Sequence, residues 1–214
     1  MIDDRLARAG ERYERAVFGG DADAVTEAWD ELDGVEADLA LARGRLLHAR
    51  FLADRQQDPQ ELELFTRAAD LYERLGDVRG EAQARFWVGV FHQVVRDDGD
   101  AALPALRRSH ELAVRAGDGL TRSYAARHLG FHAMAAGDLD RAATMLEESL
   151  RLRREAGHRP AVAAALLALA ELAARRGEPG QAEELLTEAA TEAEDSGAAG
   201  TMRWIEAVRA ELSS

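Results

Sequence analysis

Between residues 124 and 156 the apolar side chains keep a helical rhythm with one interruption. One stretch runs from Tyr124 to about Ala136, breaks at Gly137-Asp138, and a second resumes at Leu139. In the second stretch Ala142, Met145, Leu146, Ser149, Leu150 and Leu152 recur at i, i+3, i+4 and i+7, with arginine and glutamate opposite. That spacing predicts an amphipathic helix with one buried stripe. Gly137 suits the left-handed residue that ends the first helix, and Asp138 or Asp140 can cap the next.

The interruption recurs. Gly76, Gly117, Gly157 and Gly197 each follow Leu, Ala or Ser, at separations of 41, 40 and 40 residues. A fixed period of that length predicts stacked supersecondary units, none able to bury its apolar face alone. Pro59, Pro160 and Pro179 fall at or near first helical positions, where a missing N–H is harmless, and Pro104 sits slightly deeper in its first turn. The units divide at about 1–34, 35–78, 79–118, 119–158 and 159–198. A last helix over 201–212, with Ile205, Val208 and Leu212 on one face, serves as a cap. The predicted fold is one all-α domain over 1–214, a right-handed α-solenoid of about five antiparallel helix pairs plus a C-terminal capping helix.

Composition narrows the chemistry. The chain of 214 residues has no cysteine, and all its 27 basic residues are arginine. Disulfides, thiolate nucleophiles, lysine Schiff bases and P-loops are therefore excluded. The net charge of −13 argues against nucleic acid and anionic membranes as partners. No apolar run is long enough to span a membrane, and the charged N-terminus is unlike a signal peptide. A cytoplasmic protein of a GC-rich bacterium is expected.

The repeat resembles the tetratricopeptide repeat, whose first helix reads W-x2-L-G-x2-Y. Leu6, Ala9, Gly10 and Tyr13 take those four places, and later units carry Leu47-His48, Val88-Gly89, Leu129-Gly130 and Leu169-Ala170. The small residue at the helix crossing is matched by Ala22, Ala102, Ala142 and Ala182, while the second unit has Glu61 there. The units are about six residues longer than the usual repeat of about 34, as in bacterial regulators. The resemblance implies a non-catalytic scaffold or regulatory module that holds a protein or peptide in its concave groove.

First helices line such a groove. Helical phase directs Arg45, Ala49 and Leu52 toward it, then Gln83, Phe86, Val90 and Gln93, then Tyr124, Arg127, Phe131 and Met134, then Leu167, Glu171 and Arg175, with Trp87 and His128 at its edge. Aromatics mixed with arginines are the residue types enriched in interface hot spots. Phe86, Trp87, Tyr124 and Phe131 are the expected anchors, and Arg127 and Arg175 the expected partners of carboxylates, with Glu171 beside them.

Other chemistry is thinner. His128 and His132 stand four apart, a spacing that permits shared metal ligation, with Glu171 the nearest third ligand by phase. No H-E-x-x-H accompanies them, and the pair is expected to belong to the repeat, with no metal or other cofactor. His48 and His92 occupy packing positions that predict buried, hydrogen-bonded imidazoles. The 96–102 stretch "RDDGDAA" reads as a capped inter-helix turn. An alternative function is a small-molecule sensor or unusual enzyme, with a pocket formed by Tyr124, Arg127, His128, Phe131 and His132. Self-association through terminal helices is a third expectation, motivated by Met202 and Trp204.

Overall fold

The computed structural model describes residues 3–212. Over them the chain forms α1 (Asp4–Gly19), α2 (Asp23–Asp54), α3 (Gln60–Leu75), α4 (Val78–Val90), α5 (Gly99–Ala116), α6 (Gly119–Ala135), α7 (Leu139–Glu155), α8 (Arg159–Arg175), α9 (Pro179–Asp195) and α10 (Ala199–Leu212). A π-helical turn, Phe91–Val95, continues α4. No strand occurs among the described residues, and each helix packs chiefly on its neighbours in sequence. The architecture is an all-α solenoid.

Local chemistry sets the element ends. From α5 onward the helices stop at glycines with positive φ, at Gly117, Gly137, Gly157, Gly177 and Gly197, every twentieth residue. Lacking a Cβ, glycine takes this left-handed turn without strain. The residue after such a glycine usually caps the next helix: Asp77, Asp118 and Asp138 accept from the backbone N–H of Gly80, Thr121 and Arg141, and Asp98, after the left-handed Asp97, accepts from Ala101. His158 does the same through Nδ1 for Ala161. Asp138, not Asp140, therefore caps α7, and Asp140 instead receives Arg176 at 2.9 Å. Because Asp98 starts α5 at Gly99, Pro104 lies in the second turn rather than the first.

The buried stripe of α7 is Ala142, Leu146, Ser149, Leu150, Leu152 and Arg153, with Met145 half-buried. Arg151 pairs with Glu155 at 2.7 Å, not with Glu147 or Glu148. Glu148 reaches back to His110 and Arg122 of earlier helices.

The N-terminal quarter departs from the expected pattern. α2 runs unbroken for 32 residues through the predicted boundary at 34/35. Gly34 is followed by Val35 rather than by a capping aspartate, and it keeps a helical conformation. α1 buries none of its residues and is tied to α2 by ion pairs, Arg5–Asp38, Arg8–Glu31 and Arg12–Glu27. Tyr13 is 64% exposed, and Leu6 and Val17 on the same side are exposed as well. The unit closest to the tetratricopeptide motif in sequence is thus the one whose motif positions are least packed.

Glycines report the difference directly. A Cβ at Gly130 would lie 2.8 Å from Leu146, and one at Gly89 2.6 Å from Leu106, whereas one at Gly10 would meet nothing within 4 Å. Gly130→Ala should destabilise the fold by about 1–2 kcal/mol through overpacking. Gly10→Ala should stabilise it by up to about 1 kcal/mol through helix propensity. Urea denaturation of both variants checks this, and equal signs would refute the packing difference.

Candidate functional site

α4, α6 and α8 each carry aromatic or charged residues one helical turn apart on the side that faces a common groove. These helices also carry small buried residues, Ala82, Ala84, Ala125, Ala126, Ala165 and Ala168, which allow close packing on their neighbours. The groove contains two adjoining cavities of about 350 and 390 Å³. Both are lined by Phe86, Trp87, Arg127, His128 and Trp204. The first adds His48, Leu52, Arg55, Leu167 and Glu171, and the second adds Arg45, Tyr124, Arg153 and His158.

The aromatic wall is continuous. Phe65 stacks on Trp87 at 5.5 Å between centroids, Trp87 meets Phe86 edge-on at 5.2 Å, and Phe86 stacks on Tyr124 at 5.7 Å. His128 stands edge-on to both Phe86 and Phe131. Rings packed in this way keep fixed orientations and lose little freedom when a ligand covers them.

Arginines complete the surface. The guanidinium of Arg127 lies 4.5 Å from the Phe131 centroid, that of Arg153 4.9 Å from Tyr124, that of Arg45 5.7 Å from Trp87 and that of Arg55 5.5 Å from Phe51. Arg153 is only 2% exposed and donates to the carbonyl of Ala161 at 2.7 Å and to Ser123 Oγ at 3.3 Å. Arg127 has a buried Nε with no hydrogen-bond partner. Burial pushes the Arg127 pKa down to about 10 against the pull of Glu171, and burial together with the charge of Arg127 brings Arg153 down to about 9. Glu171 is shifted upward by burial, partly offset by Arg127 and Arg175.

Gln93, placed by the π-helical turn, clamps His128. Its Oε1 accepts from His128 Nδ1 at 2.5 Å, and its Nε2 donates to the His128 carbonyl at 3.1 Å. Burial, then the charges of Arg127 and Arg153, drive His128 well below the usual histidine pKa, so its ring is neutral near pH 7. His132 is half-buried beside Gly99, and no group of three or more ligating side chains among the described residues is placed to hold a metal ion.

The structure brings Phe86, Trp87, Tyr124, Arg127 and Glu171 to the cavities. Phe131 supports Arg127 from beneath its guanidinium. Arg175 is exposed in a separate recess with Val208, Glu211 and Leu212. Met134 turns inward against Leu146 and Leu172, because α6 has more buried faces than a surface helix. His48 is buried and bonded to Glu61 at 2.9 Å, as its position predicts, while His92 is half-exposed in the π-helical turn. Sequence reading missed Arg153, and it named Trp204 for self-association, not for the groove it lines. Arg153 keeps phase with Leu146 and Leu150, a signal that it belongs to the buried stripe of α7.

Residues 121–191, which hold α6, α7, α8 and much of α9, match the family model described as tetratricopeptide repeat. Over these residues the chain is a tetratricopeptide-like helical repeat protein. Among solved structures it is similar to the crystal structure of BtubC (BKLC) from P. vanneervenii, with a TM-score of 0.50 over 91% of this chain and 90% of that one. At 17% identity this likeness concerns the fold. No curated protein matches the chain. Tetratricopeptide repeats generally mediate protein–protein interaction, and no helix among the described residues is long and apolar enough to cross a membrane.

Proposed function

We propose that this protein is a non-catalytic binding module whose concave groove holds a partner polypeptide. The observation that carries this reading is the unbroken aromatic surface from Trp87 through Phe86 to Tyr124, open along two adjoining cavities and continued by Trp204 of α10. Such a surface offers pockets for side chains of an extended or helical segment, with arginines to fix its register. The clamp of Gln93 on His128 favours a structural role for that imidazole over an acid–base one.

Trp204 is 48% exposed and lies on the terminal helix, so its ring can be removed with little loss of core. Trp204→Ala should weaken partner binding by about 1–3 kcal/mol while leaving the melting temperature unchanged. Native mass spectrometry of the untagged protein from its host identifies the partner, and calorimetry compares the variant with the wild type. Equal affinities would remove the groove from the account.

A further inference from the structure

The chain is acidic overall, with 40 carboxylate to 27 arginine side chains, yet its groove has the opposite balance. Arg45, Arg55, Arg127 and Arg153 line the two cavities, and Glu171 is the one carboxylate that does. Among the described residues none of these four arginines forms an ion pair with a carboxylate; each lies over an aromatic ring instead. On the outer surface, by contrast, Arg8, Arg74, Arg154 and Arg159 each hold a carboxylate. For the solvated Arg45 and Arg55 the lack of a partner costs little. For the less exposed Arg127 and Arg153 it is costlier, because ring contacts and, for Arg153, two neutral acceptors replace lost hydration only in part.

From this arrangement we infer that Arg127 and Arg153 form a subsite for one anionic group carried next to a flat apolar one. This deepens the groove reading and rests on it. The anion would recover the electrostatic energy that these guanidinia forgo, and it would accept from Arg127 where that side chain lines the cavities. The adjoining apolar body would lie against Tyr124, Phe86 and Trp204, which border the same cavity. Glu171 borders the other cavity, which Arg127 also lines and Arg153 does not, and disfavours a second anion there. One charge beside one ring is therefore the chemistry selected. Such chemistry occurs in a free aromatic acid and in an acidic side chain beside an aromatic one within a polypeptide.

Two matched pairs of probes separate these sources. The first pair is 1-naphthoate and the neutral 1-naphthamide. The second is an end-blocked tetrapeptide with Trp-Asp at its centre and the same peptide with Trp-Asn. Calorimetry on the full chain at low salt should show the charged member of at least one pair binding about tenfold or more tightly than its neutral twin. Discrimination within the naphthalene pair alone assigns the subsite to a free aromatic acid, and discrimination within the peptide pair assigns it to an acidic segment.

Arg127→Gln should reduce that preference to about twofold, Arg127→Lys should retain only part of it because the stacked, planar guanidinium is lost, and Arg175→Gln, outside the cavities, should leave it intact. Equal binding of charged and neutral members in both pairs would overturn the inference, as would a preference that survives in a folded Arg127→Gln protein. In either case the groove reading stands on its own test, the response of the co-purified polypeptide to Trp204→Ala.

Discussion

Phe65→Ala should cost about 3–5 kcal/mol, the largest loss from any single aromatic truncation in this chain. Phe65 is fully buried at the centre of a cluster with Ala37, Ala40, Leu41, Ala68 and Leu71. Its ring fills the space left by Gly44, where a Cβ would lie 2.5 Å from Phe65 Cε1, and it stacks beneath Trp87. Alanines surround it, and their short side chains cannot close the void, so most of the cavity remains. With stability of about 5–15 kcal/mol for an ordinary domain, such a loss is a large fraction of the whole. Because a solenoid is stabilised mainly by nearest neighbours, the damage should concentrate in α2, α3 and α4. Hydrogen exchange should therefore accelerate there while the amides of α8 and α9 stay protected. Uniform loss of protection would refute that picture. Gly44→Ala supplies the complementary check: alone it should destabilise, but in the Phe65→Ala protein its methyl points into the void and should restore part of the loss.

The same packing explains what could be read from sequence. Helix ends are legible because a left-handed glycine and a capping side chain have one physical reason to stand side by side, as at Gly76-Asp77, Gly117-Asp118 and Gly137-Asp138. The continuous α2 was harder to foresee: Gly34 looks like a terminator until the missing cap after it is weighed. Groove residues on first helices, such as Phe86 and Tyr124, followed from helical phase alone. Arg153 did not, since a charged residue on a second helix is ordinarily solvated. Its burial depends on Tyr124 and the Ala161 carbonyl, which come from α6 and α8. Trp204 reads in sequence as a residue for self-association because the angle at which α10 closes the array is a tertiary property. The exposed motif of α1 shows the reverse case, in which the local pattern is present but the packing that usually accompanies it is not.

Glu61→Ala should destabilise the protein by about 2–4 kcal/mol, although it installs the alanine that the repeat carries at this crossing in other units. Glu61 is fully buried, and its Oε1 lies 2.9 Å from Nδ1 of His48, a ring held edge-on to Trp87. The departure at residue 61 and the histidine at residue 48 thus form one compensated pair. Removing the carboxylate strands a buried imidazole, and the disturbance passes to a wall of the groove. Burial raises the Glu61 pKa, with His48 opposing, so the folded state holds this proton to higher pH than the unfolded chain does. The resulting contribution is fully present below the ordinary carboxylate pKa and is lost as pH rises through the folded value. Glu61→Gln keeps an acceptor for Nδ1–H and cannot ionise, so it should cost less than about 1 kcal/mol and lose that pH dependence. The difference in unfolding free energy between wild type and Glu61→Gln, followed from pH 4 upward, isolates this group from the surface carboxylates, whose shifts run the other way. That difference should move toward the glutamine variant as pH rises; a difference independent of pH would mean that Glu61 titrates as a solvated acid does.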